Sequence, residues 1–431
     1  MSSRPDFREA MKFWFRLGFI SFGGPAGQIA ILHEFLVEKK KWISEQKFLH
    51  ALNYCMLLPG PEAQQMATYT GWLLHGVRGG IVAGLFFILP SMFILLALSL
   101  LYVSYGSSPF VSAIFDGLKP AVVAIVILAL IKISKKSLKL PIHYIIAIGG
   151  FTAIYFFRIS FPVIILTVIL LALILQQIRP TLKTVSTTKS TTTDETDYYI
   201  NSTTRVSERE YNTQTLLKRT VFIALLWIIP LLLFYVAAEN FGFWKNLITF
   251  FSQAALVTFG GAYAVLPYVA ATSVEKFQWL SATEMVDGLA LGETTPGPLI
   301  MVLAYVGFMA GYHQSAGSLI AGTIGLVTTT WYTFLPSFFF ILAGAPLIER
   351  THENEKVKSI LQWVTAVVTG VILNLTLYLA EAVYTSNNEQ LPFALLWTII
   401  SILALLRFKV NMILWIGISA VWGILLYVGG L

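Results

Sequence analysis

Phe22-Gly23-Gly24 and Pro59-Gly60-Pro61 return as Phe259-Gly260-Gly261 and Pro296-Gly297-Pro298, each 237 positions further along the chain. Between them, Val37-Glu38-Lys39 pairs with Val274-Glu275-Lys276, and Trp42 and Ser44 pair with Trp279 and Ser281, in the same register. Leu89-Pro90-Ser91 then pairs with Leu335-Pro336-Ser337 at 246 positions, so a short insertion separates the two registers. Shared tryptophans and tripeptides at one offset mark an internal duplication. Each Gly or Pro motif also interrupts an apolar stretch: 8–38, 46–75, 248–272 and 282–312. Proline removes a helical N–H and glycine favours non-helical backbone, so each stretch reads as two half-helices.

The surroundings of these stretches define the solvent. Of 431 residues, 56% are hydrophobic and 12% charged, with a mean hydropathy of +0.74. An average soluble domain is roughly a quarter charged, which excludes an ordinary soluble enzyme and leaves a polytopic protein of the lipid bilayer. The net charge of +7 comes from 29 Lys+Arg against 22 Asp+Glu. Most of the basic residues lie between apolar runs, where they set topology and do not read as a nucleic-acid surface. Cys55 is the only cysteine, so no intramolecular disulfide or redox pair can form. His33, His75 and His313 lack ligand spacing, and no nucleotide or nucleophile-elbow signature is present. No metal, cofactor or catalytic residue is expected, and no cleavable signal peptide is expected ahead of the first apolar run.

A helix crossing a core of about 30 Å needs about 20 apolar residues. Unbroken runs of approximately that length lie at 79–103, 110–131, 142–157, 161–178, 315–343, 358–380, 392–406 and 410–428, with a lone ninth at 219–238. The positive-inside rule places Arg4, Arg8, Lys12, Lys39 to Lys41 and Arg78 on one side only if the broken stretches enter and leave on that side, as re-entrant hairpins. The expected fold is therefore all-α, with two homologous halves each made of two broken hairpins and four spans. That set has even parity, so the extra helix inverts the second half. The expected divisions are 1–178, a first half; 179–217, a Ser- and Thr-rich cytoplasmic linker read as disordered; 218–238, the inverting helix; and 239–431, a second half. The N-terminus falls inside and the C-terminus outside.

Inverted repeats with interrupted helices are the architecture of secondary transporters that bind substrate near the midplane. A break also exposes a half-helix N-terminus with free N–H groups and partial positive charge, which suits an anion. The candidate binding segments are Gly23, Gly24, Pro25, Gly27 and Gln28; Pro59, Gly60, Pro61, Glu62, Gln64 and Gln65; Gly260 and Gly261; and Thr294, Thr295, Pro296, Gly297 and Pro298. Pro61 and Pro298 suit a first helical turn. Intramembrane carboxylates are costly, which singles out Glu62 and Glu293. Glu62 has three readings: a cap on its own half-helix, a proton carrier, or the partner of a cation such as Arg16. Glu293 precedes its break and cannot cap the helix after it, so it reads as a proton carrier. Asp116 and Lys119 read as a simple local pair.

The segments 22–30 (FGGPAGQIA), 58–65 (LPGPEAQQ), 259–263 (FGGAY) and 295–298 (TPGP) resemble the signatures of the chromate ion transporter family, in its long two-domain form. The resemblance implies a carrier in the cytoplasmic membrane that exports chromate and confers chromate resistance, with sulfate a related or competing anion. Uptake or exchange of sulfate or another oxyanion is the alternative. The resemblance leaves a homodimer open. A membrane-bound chromate reductase is disfavoured by the single cysteine and the lack of a cofactor motif.

Overall fold

The computed structural model describes residues 4–106, 108–178, 197–201, 204, 213–348, 355–385 and 391–430. All of its elements are helical, and five of them are long and apolar enough to cross a membrane: Glu62–Tyr105, Pro109–Ser137, Gln214–Ala237, Leu319–Gly344 and Ser359–Tyr384. In the first half, α1 (Phe7–Ile20) starts on an Asp6 cap. Beyond the Gly-Gly break, α2 (Gly24–His33) continues into a π-helical turn, Glu34–Lys39. After a short loop come α3 (Glu45–Cys55), the Pro-Gly-Pro break and α4 (Glu62–Tyr105). The helices α5 (Pro109–Ser137), α6 (Pro141–Tyr155) and α7 (Phe161–Ile178) complete the half.

The second half repeats the plan after α8 (Thr213–Ala237). It runs α9 (Phe241–Leu256), α10 (Ala262–Ala271) with a π-helical turn, Thr272–Lys276, then α11 (Ala282–Thr294), a 3-10 turn at Leu299–Met301 and α12 (Val302–Gln314). The helices α13 (Leu319–Ile348), α14 (Glu355–Tyr384), α15 (Leu391–Leu406) and α16 (Met412–Val428) follow. Even the π-helical turns fall at matched places, and Ser44 and Ser281 cap matched helices. Ser281 and Glu284 form the full reciprocal box at 3.1 and 2.7 Å, whereas Ser44 accepts only from the Lys47 N–H at 3.3 Å. α9 starts seven residues before the expected 248, because Asn240 Oδ1 accepts the Phe243 N–H at 3.1 Å and caps the helix there.

The broken stretches fold back on themselves as hairpins. Lys40, past the end of α2, pairs with Glu9 near the start of α1 at 2.6 Å. α4 reverses at His75 and Gly76, which has φ 64°. A Cβ on Gly71 would touch Ala83, about 18 Å away in a straight helix. His75 Nε2 lies 3.0 Å from the Pro5 carbonyl and stacks edge-on against Phe7 at 5.3 Å, so the second hairpin also returns to the side where α1 begins. In the second half, His313 at the end of α12 meets Glu284 at the start of α11 at 3.0 Å, and Phe243 at the start of α9 packs on Trp279 at 6.0 Å.

Close approaches at small residues lock the spans together. A Cβ on Gly423 of α16 would collide with the Ala113 carbonyl of α5, and one on Gly370 of α14 with the Ala147 carbonyl of α6. Such small-residue seams are how helices associate in lipid, where burial of apolar surface supplies little force. α8 behaves differently: its apolar window is only 6% buried, so most of its surface faces outward, as suits a helix bathed in lipid. The linker departs from the expectation of disorder. Ile200 bridges Ile43, its N–H donating to the Trp42 carbonyl at 3.0 Å, and is fully buried, while Lys41 pairs with Asp197 at 3.0 Å. An apolar residue in a polar tract found a hydrophobic seat. Residues 179–196, 202–203 and 205–212 of the linker lie outside the described residues.

Candidate functional site

The four breaks meet. The N–H of Gly60 donates to the carbonyl of Thr258, and the N–H of Gly297 donates to the carbonyl of Ser21, both at 2.7 Å. Ser21 and Thr258 are themselves 237 positions apart, as are Gly60 and Gly297, so each Pro-Gly-Pro turn is pinned to the Gly-Gly break of the opposite half. Gly60 (φ 122°) and Gly297 (φ 96°) adopt backbone that L side chains rarely reach. A Cβ on Gly297 would lie 2.9 Å from Ser91 Cβ, and one on Gly60 would collide with Ser337, again a reciprocal pair. The Leu-Pro-Ser motifs therefore supply the small residue against which the opposite turn closes.

Where the breaks converge, a small cavity is lined by Pro25, Gln28, Pro61, Glu62, Ala63, Gly261, Ala262, Pro298, Leu299 and Ile300. Pro25, Pro61, Glu62 and Ala63 have their 237-offset partners Ala262, Pro298, Leu299 and Ile300 in the same wall. The cavity is thus close to symmetric in backbone and asymmetric in chemistry, since Glu62 faces Leu299. It has room for about one water molecule, so this conformation is closed around the site.

The helix ends bear on the same place. Gly23 and Gly261 stand at the N-caps of α2 and α10, and Pro61 and Pro298 at those of α4 and the Leu299–Met301 turn. Pro61 and Pro298 therefore sit one position before the first turn in which they were expected. Glu62 occupies the first helical position of α4, 8% exposed, where the helix dipole favours negative charge. Arg16 does not join the cluster. It lies on the exposed face of α1 with Phe15 and Phe19, because α1 buries the face of Trp14, Leu17 and Gly18.

Most of the remaining polar candidates make hydrogen bonds around the cavity without lining it, Gln28 excepted. Gln28 is in the wall, but its Nε2 is engaged with the Gly297 carbonyl, a third bond between the halves. Gln65 Nε2 donates to the Pro59 carbonyl at 2.7 Å and closes its own turn, and Gln64 Nε2 donates to Thr68 Oγ1 at 3.0 Å. Thr294 and Thr295 spend their hydroxyl protons on the Leu291 and Gly292 carbonyls of α11, at 2.7 and 3.0 Å. Glu293, 4% exposed, accepts from Tyr263 OH at 2.7 Å, so it is tied to α10 just beyond Gly261. Tyr263 was visible only as part of the Phe259-Gly260-Gly261-Ala262-Tyr263 segment. Asp287, 4% exposed on α11, was not singled out from the sequence, since no motif surrounds it. Among the described residues no cluster of His, Cys, Asp and Glu fits a metal ion.

The sequence profile of chromate transporters matches residues 8–175 and 245–424, both halves of the molecule. The chain belongs to the chromate transporter family. It is 30% identical over 405 residues to the chromate transport protein of Pseudomonas aeruginosa, covering 91% of this chain and 83% of that one. It is 25% identical over 402 residues to the chromate transport protein of Cupriavidus metallidurans, covering 93% and 88%. An uncharacterized transporter of Methanocaldococcus jannaschii is 27% identical over 428 residues, covering 98% and 95%. No solved structure matches. As a chromate transporter family member, the chain is a multi-pass membrane protein of a transporter class, and the two matched regions coincide with the two structural halves.

Proposed function

We propose that the protein is a secondary transporter that exports chromate across the cytoplasmic membrane and so confers chromate resistance. The observation that carries this reading is the meeting of four half-helix ends, two from each half, around one closed cavity. Backbone N–H groups and helix dipoles aimed at one place favour a compact anion without base or shape specificity. The binding segments are those at Gly23 to Gln28, Pro59 to Gln65, Gly260 and Gly261, and Thr294 to Pro298. Glu62 is the tethered negative charge that stands at the site when the anion is absent, and Glu293 is a proton carrier beside it.

The opposed orientation of the halves is supported by where their helices begin. Ile43, before α3, pairs with Ile200 of the linker. The matched helix α11 begins instead beside Tyr102, at the far end of α4, where Tyr102 OH reaches Asp287 at 2.8 Å. The 29 residues of α5 run about 43 Å from that end back towards the linker. With the linker inside, an inside-negative potential drives a dianion outward by about 4.6 kcal/mol at 100 mV, enough for roughly a thousandfold gradient. Chromate export therefore needs no fuel beyond the membrane potential, and proton exchange adds to it.

Cells carrying the protein are expected to accumulate less chromate than cells without it, and collapse of the membrane potential is expected to abolish the difference. Equal accumulation would sink the export reading. The second reading, uptake or exchange of sulfate, is favoured by the site's reliance on backbone groups, which treat tetrahedral dianions alike. Excess sulfate is expected to slow chromate flux, and flux indifferent to sulfate would exclude a shared site.

A further inference from the structure

At the end of the molecule opposite the linker, α11 carries a second buried carboxylate that the central cavity does not use. Asp287 Oδ2 accepts from Tyr102 OH of α4 at 2.8 Å, and Asp287 Oδ1 lies 3.7 Å from Lys119 Nζ of α5. Lys119 is held more closely by Asp116, at 2.9 Å. The pair that reads as local in the sequence is thus a triad, two carboxylates sharing one ammonium, and it joins the first half to the second. Asp287 Oδ1 and the nearby Tyr305 hydroxyl, both buried, have no hydrogen-bond partner among the described residues, although the Tyr305 and Tyr102 rings meet edge-on at 5.7 Å.

The charge count decides what this arrangement can do. With all three groups ionised the triad holds a net charge of −1 within the membrane, where an uncompensated charge is expensive. One added proton brings it to neutrality. Asp116 lines a cavity of about 240 Å³ between α5, α15 and α16, walled by the stacked Trp397 and Trp422, so the triad borders a space from which water can deliver that proton. Asp287 lies six residues before Glu293 on the same helix, and that helix ends at the Pro296-Gly297-Pro298 turn pinned to Ser21. A change of charge at Asp287 therefore acts on the element that closes the central site.

We propose that Asp287, held by Lys119, Asp116 and Tyr102, is a proton-binding site that couples inward proton movement to outward movement of the anion. The proposal rests on the export reading above. In one half-cycle the Asp287 carboxylate takes a proton from water in the outer cavity and becomes the neutral acid, while Lys119 stays an ammonium on Asp116. In the other half-cycle the same proton leaves towards the linker side, and Asp287 returns to the carboxylate paired with Lys119. The groups facing Asp287 are Tyr102 from α4, Asp116 and Lys119 from α5, Tyr305 from α12, and Glu284 on its own helix, itself paired with His313. Among the described residues, α14 and α16, which also pack on α11, add no charged group to the cluster.

The full chain in proteoliposomes loaded with chromate and a pH-sensitive dye tests this, with potential and pH gradient imposed separately. The wild-type protein is expected to move protons inward as chromate leaves. Asp287→Asn is expected to keep potential-driven efflux within about twofold of wild type while losing at least about tenfold of the pH-driven component and the chromate-linked proton signal. Wild-type efflux without any proton movement would overturn the proposal, and so would Asp287→Asn retaining the pH-driven component. Loss of both components in Asp287→Asn would make the triad a structural tie only and overturn it as well. Absence of potential-driven chromate efflux in the wild type is a separate result, since it would defeat the export reading itself.

Discussion

Gly297 concentrates the demands of the site: positive φ, a donor to Ser21 O and no room for a Cβ beside Ser91. Gly297→Ala is expected to lower stability by about 1 to 3 kcal/mol and to abolish transport, read by thermal melting in detergent and by chromate flux. Gly149→Ala in α6, where a Cβ meets nothing within 4 Å, is the matched control and should leave flux unchanged. Equal behaviour of the two variants would refute the role given to the turn. Such positions are legible in a sequence because the Pro-Gly-Pro spelling itself states the backbone. What the spelling does not state is its partner. That Gly60 reaches Thr258 and Gly297 reaches Ser21 follows from the assembly of the halves. Asp287 carries no local signal because its partners Lys119, 168 positions away, and Tyr102 belong to the other half. Arg16 turns away from Glu62 because α1 buries the face of Trp14 and Leu17, which residue type alone does not state.

At the scale of elements, the hairpins were readable because each break divides an apolar stretch at a local signal. The ordered piece of linker was not, because one isoleucine in a Ser- and Thr-rich tract carries no periodic signal, yet Ile200 fills a seat beside Trp42 and Ile43. Its ionic tether has a definite pH behaviour. The hydrogen bond and charge of Lys41 hold the Asp197 carboxyl below its ordinary range, and Asp197 in turn raises the Lys41 ammonium. The Asp197 contribution is present above the usual carboxylate range and is lost as pH falls through its depressed value. The Lys41 contribution is present below the usual lysine range and is lost as pH climbs through its raised value. Docking of the segment is therefore expected to be firmest near neutrality. Limited proteolysis of the linker should be slowest at about pH 7, and Ile200→Ala should speed it at that pH. Cleavage at the wild-type rate in Ile200→Ala would show that the contact does not restrain the linker.

For the molecule as a whole, the pattern of reciprocal contacts between positions 237 apart is that of two halves related by a local two-fold, closing one cavity between them. The orientation expected from the basic loops can be tested with introduced thiols, for which buried Cys55 leaves a silent background. Thr385→Cys, between α14 and α15, is expected to react with an impermeant maleimide in intact cells, and Lys409→Cys, between α15 and α16, only after permeabilisation. Labelling of both from outside would contradict the topology. Flux through the central site is the most direct measure of an electrogenic exporter. In proteoliposomes loaded with chromate, an imposed inside-negative potential with no pH gradient should drive protein-dependent efflux of chromate that is still oxidised, and a reversed potential should suppress it. Efflux no faster than from protein-free vesicles, or unmoved by the sign of the potential, would contradict an electrogenic chromate exporter.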